Sequence, residues 1–273
     1  MARPCSIDQV SAQSGDEAAR AKRELADVQR ELARTLAVAA RVHQSLLPKP
    51  VDDPRIRVDV KYLPIDAVGG DYCQVRLPGS DVCYITLCDV CGHGIGPSLL
   101  ATRVSSEVRH CILDQLSPVE IVRDLNEFVV RELSEADMFV TFFAARVDLI
   151  RKTLTYSGAG HPAALHLRPG VGLVAELTSQ NLLVGVQLDC LRANPEDVQA
   201  LRSGDRVLFY TDGLTEATDS QGRLLGSEGL TRIGCEMMDV PIFEMASKIL
   251  GGVADFRDGP PNDDMTLLVA EIP

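Results

Sequence analysis

The order of the predicted secondary-structure elements restricts this chain to few folds. After residue 54 the sequence predicts strands, then two helices, then a run of strands, two more helices and a final strand. The strands are joined by short turns rich in Gly and Pro, and they do not alternate one by one with helices. This order is typical of antiparallel sheets with helices packed outside them, and it argues against a doubly wound parallel sheet. We therefore predict an α+β sandwich.

Local residue patterns predict the individual elements. Apolar residues alternate with polar ones from Ile56 to Tyr62, which is typical of a half-buried strand. Pro97 is predicted to open a helix that runs to about Cys111, and the capping box Ser117–Glu120 to open another that runs to about Leu133. Further strands are predicted at Tyr72–Leu77, Val82–Val90, Met138–Asp148, Thr153–Ser157, Ala164–Arg168, Leu173–Leu177, Arg206–Tyr210 and Thr266–Glu271, and further helices near 227–238 and 241–250.

Residues 17–47 have the composition of one long helix, rich in Ala, Leu, Glu and Arg and free of Gly and Pro. Two interpretations remain open: a helix that dimerises or transmits a signal, or an amphipathic helix folded onto its own domain. Its length of three heptads favours the first. We predict that residues 1–16 are disordered and that a single domain fills 48–273. Alternating steps of three and four connect a heptad seam that is broken only by Thr35: Leu25, Val28, Leu32, Thr35, Ala39, Val42 and Leu46.

Charge and composition exclude several classes of protein. The chain carries 27 Lys and Arg against 39 Asp and Glu, and its net charge of -12 disfavours nucleic-acid binding. No run of 18 apolar residues predicts a membrane span, and the first thirty residues contain no apolar core of a signal peptide, so we expect a cytoplasmic protein without a membrane partner. The eight cysteines have no regular spacing, which favours reduced thiols over a disulfide framework.

Four aspartates lie where a predicted strand meets Gly-rich or turn sequence: Asp71, Asp89, Asp212 and Asp263. Four carboxylates at one sheet edge would repel one another unless cations lay between them, and hard oxygen ligands suit Mg²⁺ or Mn²⁺. Glycines beside these residues allow close backbone approach, so a main-chain carbonyl next to Asp89 is a further candidate ligand. Each aspartate alone is more typical of a simple turn. The four together favour a metal-dependent hydrolase.

Five motifs in fixed order make the chain similar to a known family. They are GGDY, DVCGHG, SGAGHPAAL, YTDGLTEA and NDDMTLLV. In order and separation they resemble the bacterial SpoIIE/RsbU-type serine phosphatases, a branch of the metal-dependent type 2C (PPM) protein phosphatases. The resemblance runs from Gln44–Pro48 to the C-terminus. One departure is that Cys73 and Gln74 replace the last two residues of the frequent GGDYYD; we expect changed loop packing there, with activity retained.

The resemblance implies two antiparallel sheets flanked by helix pairs, with a dinuclear Mn²⁺ or Mg²⁺ centre at one end. By position in the motifs, Asp89 would bridge both ions, and the Val90 carbonyl would be an auxiliary ligand. Asp71 would bind one ion, and Asp212 and Asp263 the other. The resemblance places the ligand at Asp263 and leaves its neighbour Asp264 as a supporting or turn residue.

The implied chemistry is hydrolysis by a metal-activated water, with Asp89 and Asp71 acting through the ions and no protein nucleophile. His93 and His161 lie in signature loops, and we expect them to shape those loops or to hydrogen-bond there, since neither is a standard ligand of the family.

The function implied is dephosphorylation of phosphoserine or phosphothreonine, with a phosphorylated STAS-type anti-sigma-factor antagonist as substrate in partner-switching regulation. We also expect a homodimer through the N-terminal helix and an upstream sensor protein as a further partner. Two alternatives remain open. One is a catalytically silent signalling module that keeps the fold, which retention of all four aspartates disfavours; the other is a hydrolase of small phosphoesters.

Overall fold

Two antiparallel sheets stack face to face in this protein. The computed structural model describes residues 7–92, 94–132 and 138–273. One sheet has the strand order β1-β2-β11-β10-β7-β8 and the other β3-β4-β5-β6-β9. The strands are β1 Val51–Asp53, β2 Ile56–Leu63, β3 Tyr72–Arg76, β4 Val82–Val90, β5 Val140–Asp148, β6 Thr153–Ala159, β7 Ala164–Arg168, β8 Gly172–Leu177, β9 Asp197–Ala200, β10 Arg206–Tyr210 and β11 Met265–Glu271. The helices are α1 Ile7–Leu46, α2 Ile95–Leu113, α3 Pro118–Glu132, α4 Asp212–Thr215, α5 Gly226–Glu236 and α6 Ile242–Phe256. The predicted α+β sandwich is confirmed.

The core has three layers, because both sheets are covered on both faces. One apolar cluster lies between the sheets, a second packs the β3–β9 sheet against α2 and α3, and a third packs the β1–β8 sheet against α5 and α6. Strand β4 shows how the sequence produces this arrangement. Ile85 and Leu87 point between the sheets, whereas Tyr84 and Val90 point toward the helix pair. A strand that is buried on both faces has a nearly continuous apolar sequence, as β4 has.

Helix α1 differs from its predicted extent, because it begins at Ile7 instead of residue 17. Over residues 7–16 the structure is helical where the sequence predicted disorder; residues 1–6 lie outside the described residues. The segment contains Gly15 but no proline, and extending a helix already formed downstream costs less than starting one. In the described part of the chain, every helix is too short or too polar to cross a lipid bilayer.

Several short elements were not predicted. Strands β1 and β9 have three and four residues, and helix α4 has four, too few to show a periodic pattern. Helix α2 begins at Ile95 rather than at Pro97, and α6 continues to Phe256 rather than ending at residue 250. Pro97 fits inside the first turn, where the backbone N–H groups have no partner within the helix. The capping box is confirmed, since the Ser117 N–H donates to Glu120 Oε2 at 2.8 Å. The described cysteines are all free thiols.

A buried ionic cluster joins β7 to the start of β10. Asp205 is fully buried, and its carboxylate contacts His166 Nε2 at 2.7 Å and Arg168 Nε at 2.7 Å. The Arg202 N–H also donates to this carboxylate at 2.8 Å. Each carboxylate oxygen therefore has a partner, which is what a buried charge requires.

Replacing Asp205 by Ala should lower the free energy of unfolding by about 3 kcal/mol, because it leaves Arg168 and His166 without their buried partner. Urea unfolding measures the change. Asp255, exposed on α6, provides the matched control, and Asp255→Ala should change stability by less than about 0.5 kcal/mol. Equal effects of the two substitutions would contradict a structural role for the cluster.

Candidate metal centre

The four predicted aspartates lie at the ends of strands in both sheets. Asp71 immediately precedes β3, and Asp89 is the penultimate residue of its neighbour β4. Asp212 follows β10 after one residue, and Asp263 lies two residues before its neighbour β11. Antiparallel pairing brings the end of one strand beside the start of the next, so each sheet contributes two carboxylates at the same end of the sandwich.

Asp71 is the most deeply buried of the four, with 2% of its surface exposed. Its Oδ2 accepts hydrogen bonds from Thr211 Oγ1 and Thr266 Oγ1, each at 2.7 Å. Both threonines belong to the opposite sheet, so these bonds join the two sheets at the site. Burial, and secondly the charge of Asp89, raise the pKa of Asp71 well above its usual range, while the two threonine hydroxyls oppose the shift.

Asp89 is electrostatically coupled to each of the other three aspartates. Burial raises its pKa to about 7, and the charges of Asp212 and Asp263 contribute to the rise. Its own charge in turn raises the pKa of Asp71. Asp89 therefore lies close enough to Asp71, Asp212 and Asp263 for its charge to interact with each of them.

Asp212 opens the short helix α4, and burial raises its pKa to about 6. Glu216, four residues later, adds to the rise, and so does Asp263. Asp263 is half-buried, and its Oδ1 accepts the N–H of Asp264 at 2.8 Å. The largest influences on the pKa of Asp71, Asp89 and Asp212 include no Lys or Arg side chain.

Glycine is required at two places where the backbone approaches the carboxylates. A Cβ on Gly70 would lie 2.7 Å from the carbonyl oxygen of Val90 and 3.3 Å from that of Gly92. A Cβ on Gly213 would overlap the carbonyl oxygen of Asp264. Any larger residue at position 70 would therefore cover the Val90 carbonyl, the main-chain oxygen predicted as an auxiliary ligand.

Asp264 supports the loop that leads to Asp71. It is 3% exposed, and its Oδ1 accepts the Ile65 N–H at 2.8 Å, while its Oδ2 accepts the Gly70 N–H at 3.0 Å. Both carboxylate oxygens are thus engaged by backbone amides of one loop. The carboxylate is close enough to Asp71 and Asp89 to raise the pKa of both.

His161 lies behind the cluster and is held by local hydrogen bonds. Its Nδ1 is 2.7 Å from Thr141 Oγ1, and Thr141 is the register partner of Asp89 on β5. Its N–H donates to Ser179 Oγ at 3.0 Å. Burial lowers the pKa of His161 to about 3, so the ring is neutral near pH 7. The structure thus gives His161 the hydrogen-bonding environment expected of it, and His93 lies outside the described residues.

The donor set fits hard divalent cations in its chemistry. It consists of carboxylates and one main-chain carbonyl, and the largest influences on the raised pKa values of Asp89 and Asp212 include no basic side chain. Within the described residues, however, no group of three or more His, Cys, Asp or Glu side chains is arranged to hold an ion by itself. Like charges repel, and Asp71 is bonded to two threonines. A cation such as Mg²⁺ commonly takes one or two carboxylates and completes its shell with water.

Sequence reasoning did not find three residues of this site. They are Thr211, Thr266 and Glu216, which lie within or beside the acidic motifs. The sequence alone does not show that the two threonines contact Asp71 or that Glu216 lies near Asp212. One sequence feature pointed to the threonines: Thr211 lies directly before Asp212, and Thr266 lies two positions after Asp264.

A family model for stage II sporulation protein E (SpoIIE) matches residues 79–273, well over half of the chain. The chain belongs to the SpoIIE family. The family predicted from the five motifs, the SpoIIE/RsbU-type phosphatases, is thereby confirmed.

Similar proteins agree with this assignment. Phosphoserine phosphatase RsbU of Bacillus subtilis (strain 168) is 26% identical over 246 residues, which cover 90% of this chain and 72% of that protein. The SiaA-PP2C domain of Pseudomonas aeruginosa has the same fold, with a TM-score of 0.79 at 22% identity over 90% of this chain and 99% of that one. The catalytic domain of the serine threonine protein phosphatase PstP, solved with 2 manganese ions, has a TM-score of 0.57 at 17% identity over 80% and 98%.

The raised carboxylate pKa values predict how stability depends on pH in the presence of a chelator. Asp89 and Asp212 have pKa values of about 7 and about 6 in the folded state and an ordinary value of 3.8. Between these values the folded state binds more protons than the unfolded state, so the free energy of unfolding should fall as pH rises from about 4 to about 7. Urea unfolding at a series of pH values in EDTA measures the slope. Asp89→Asn should reduce the slope, whereas an unchanged slope would show that the pKa of Asp89 is not raised in the folded state.

Proposed function

We propose that this chain is a metal-dependent protein phosphatase that hydrolyses phosphoserine or phosphothreonine. The observation that carries the proposal is the coupling of Asp89 to three further carboxylates at the end of the sandwich, without a basic side chain among the largest influences on them. Such a cluster is unfavourable on its own and becomes favourable around cations. Membership of the SpoIIE family and the likeness to phosphoserine phosphatase RsbU support the same activity.

Two divalent cations, Mn²⁺ or Mg²⁺, are the proposed cofactors. Asp71, Asp89, Asp212 and Asp263 would hold them, and the Val90 carbonyl would assist. When bound, such ions supply Lewis acidity that lowers the pKa of a water molecule and offsets the charge of the phosphate.

The chain's own residues prepare the site for that chemistry. The hydroxyls of Thr211 and Thr266 orient Asp71, and the Asp264 carboxylate holds the loop at Gly70. Because position 70 is a glycine, no side chain there contacts the Val90 carbonyl. Because no basic side chain is among the main influences on the carboxylates, charge compensation for a phosphate would come from the cations. Asp71 and Asp89 are the proposed catalytic residues.

The proposed substrate is a phosphorylated STAS-type regulatory protein in a partner-switching system, with an upstream sensor protein acting on the N-terminal helix. This step rests on the likeness to RsbU and on the motifs of the family. A cytoplasmic location belongs to the same proposal.

Asp89→Asn should lower the rate of Mn²⁺-dependent hydrolysis of a phosphoserine-bearing STAS domain at least about 10³-fold, equivalent to about 4 kcal/mol of barrier. The substitution removes one negative charge from the cluster with almost no change of volume. Release of phosphate measures the rate, and Asp255→Asn on the exposed face of α6 is the matched control, expected to be fully active.

The same assay separates the alternatives. Faster turnover of free nucleotides than of the phosphoprotein would favour a small-phosphoester hydrolase. Binding of Mn²⁺ without hydrolysis of either substrate would favour a silent signalling module. Full activity of Asp89→Asn would contradict the proposed site.

A homodimer through α1 is a further part of the proposal. At 40 residues, α1 is about 60 Å long, and its seam residues Leu25, Val28, Leu32 and Val42 are each more than half exposed. Apolar residues repeated at heptad spacing on an exposed helix are the contact surface of a coiled coil.

Leu32→Asp should raise the dissociation constant of the dimer at least about tenfold, because it places a charge in the middle of the apolar seam. Ala33→Asp, one residue later on the exposed surface, is the control with the same new side chain. Light scattering over a concentration series measures the dimer fraction. Equal dimerisation of both variants, or a monomeric parent protein, would exclude α1 as the dimer contact.

A further inference from the structure

One side chain of α1 is buried against the rest of the protein. From Arg20 to Leu46 the residues of α1 are exposed or half-buried, except for His43, which is 4% exposed. Ala40 and Leu36, one and two turns earlier on the same face, are half-buried. His43 therefore lies on a short face of α1 that adjoins the seam and is turned toward the domain.

His43 packs on an aromatic residue of β2. Its ring centroid is 5.6 Å from that of Tyr62, with an angle of 42° between the ring planes. Neither His43 Nε2 nor Tyr62 Oη has a hydrogen-bond partner among the described residues, and both atoms are inaccessible to solvent. Unpaired buried polar atoms are unfavourable, so packing of the two rings, and not a hydrogen bond, is what the contact contributes.

Tyr62 connects this contact to the metal centre in two ways. Its register partner on β11 is Thr266, which donates the 2.7 Å hydrogen bond to Asp71. Its hydroxyl also packs against Gly69, where a Cβ would overlap both Tyr62 Oη and Asp264 Oδ2. The tyrosine hydroxyl and the Asp264 carboxylate thus occupy the space beside the same glycine.

Asp264 in turn holds both ends of the loop before Asp71. Its two oxygens accept the N–H groups of Ile65 and Gly70, as described above. A shift of Tyr62 would open space beside Asp264 and weaken the two hydrogen bonds that set the position of this loop.

We propose that His43 is a positioning residue: its ring, packed on Tyr62, keeps Tyr62 and Asp264 in place and so holds the loop 65–70 that carries Asp71 to the metal centre. The end of α1 thereby helps to support the site, and a movement of α1 would change the position of Asp71. The catalytic consequence rests on the proposed function, whereas the structural consequence does not.

Hydrogen exchange in the full-length protein with EDTA tests the structural consequence directly. In His43→Ala the Ile65 and Gly70 amides should exchange on the order of tenfold faster, because their acceptor is less firmly held. Amides of the β4–β5 pair should be unchanged. His43→Phe, which keeps the ring and removes the unpaired nitrogen, should exchange like the parent protein. Arg41→Ala, at an exposed position of α1 outside the seam, is the control and should do the same.

Three results would overturn the inference: unchanged exchange at Ile65 and Gly70 in His43→Ala, acceleration that is equal in the β4–β5 amides, or His43→Phe as fast as His43→Ala. If His43→Ala does not fold, His43→Leu takes its place, with the same expectation at the two amides.

Activity provides the second measurement. In His43→Ala the Mn²⁺ concentration for half-maximal phosphatase activity should rise on the order of tenfold, with the KM for the phosphoprotein unchanged. An unchanged Mn²⁺ requirement in an active protein would overturn the catalytic consequence. A parent protein without phosphatase activity would overturn the proposed function, and the exchange result would still decide the role of His43.

Discussion

The structure depends on a concentration of negative charge that the fold places at one end of the sandwich. Asp89 lies among three other aspartates, partly removed from water, and its pKa is raised to about 7. The energy needed to keep these groups together comes from elsewhere, from three apolar layers that fix both sheets and their helix pairs. Grouping the carboxylates therefore lowers the stability of the fold and gives one end of the molecule a site suited to positive charge.

The residues around the carboxylates make their burial less unfavourable without removing the negative charge. Thr211 and Thr266 donate to Asp71 across the two sheets, and these hydrogen bonds favour its ionised form. The Asp264 carboxylate accepts hydrogen bonds from two backbone amides of the adjoining loop. Neutral donors of this kind orient an anion and leave its charge available for a cation, whereas a lysine or arginine would compete with one.

The architecture could be predicted largely from sequence, because strands such as β4 are long apolar runs and the helix caps are explicit. The positions of the four aspartates could also be predicted, since each lies at or next to the end of a predicted strand. The partners of Asp71 could not, because Thr211 and Thr266 lie 140 and 195 residues away in the chain. The contact of His43 could not be predicted either. In the sequence it is one polar residue of a helix, and its contact with Tyr62 depends on the tertiary structure.

The central claim is that these carboxylates share cations. Crystals grown with Mn²⁺ and measured at a wavelength where manganese scatters anomalously test it most directly. The account predicts two anomalous peaks among Asp71, Asp89, Asp212 and Asp263, with one of them beside the Val90 carbonyl, and loss of these peaks in Asp89→Asn. Manganese bound elsewhere, or no peak at the end of the sandwich in crystals of the parent protein, would contradict it.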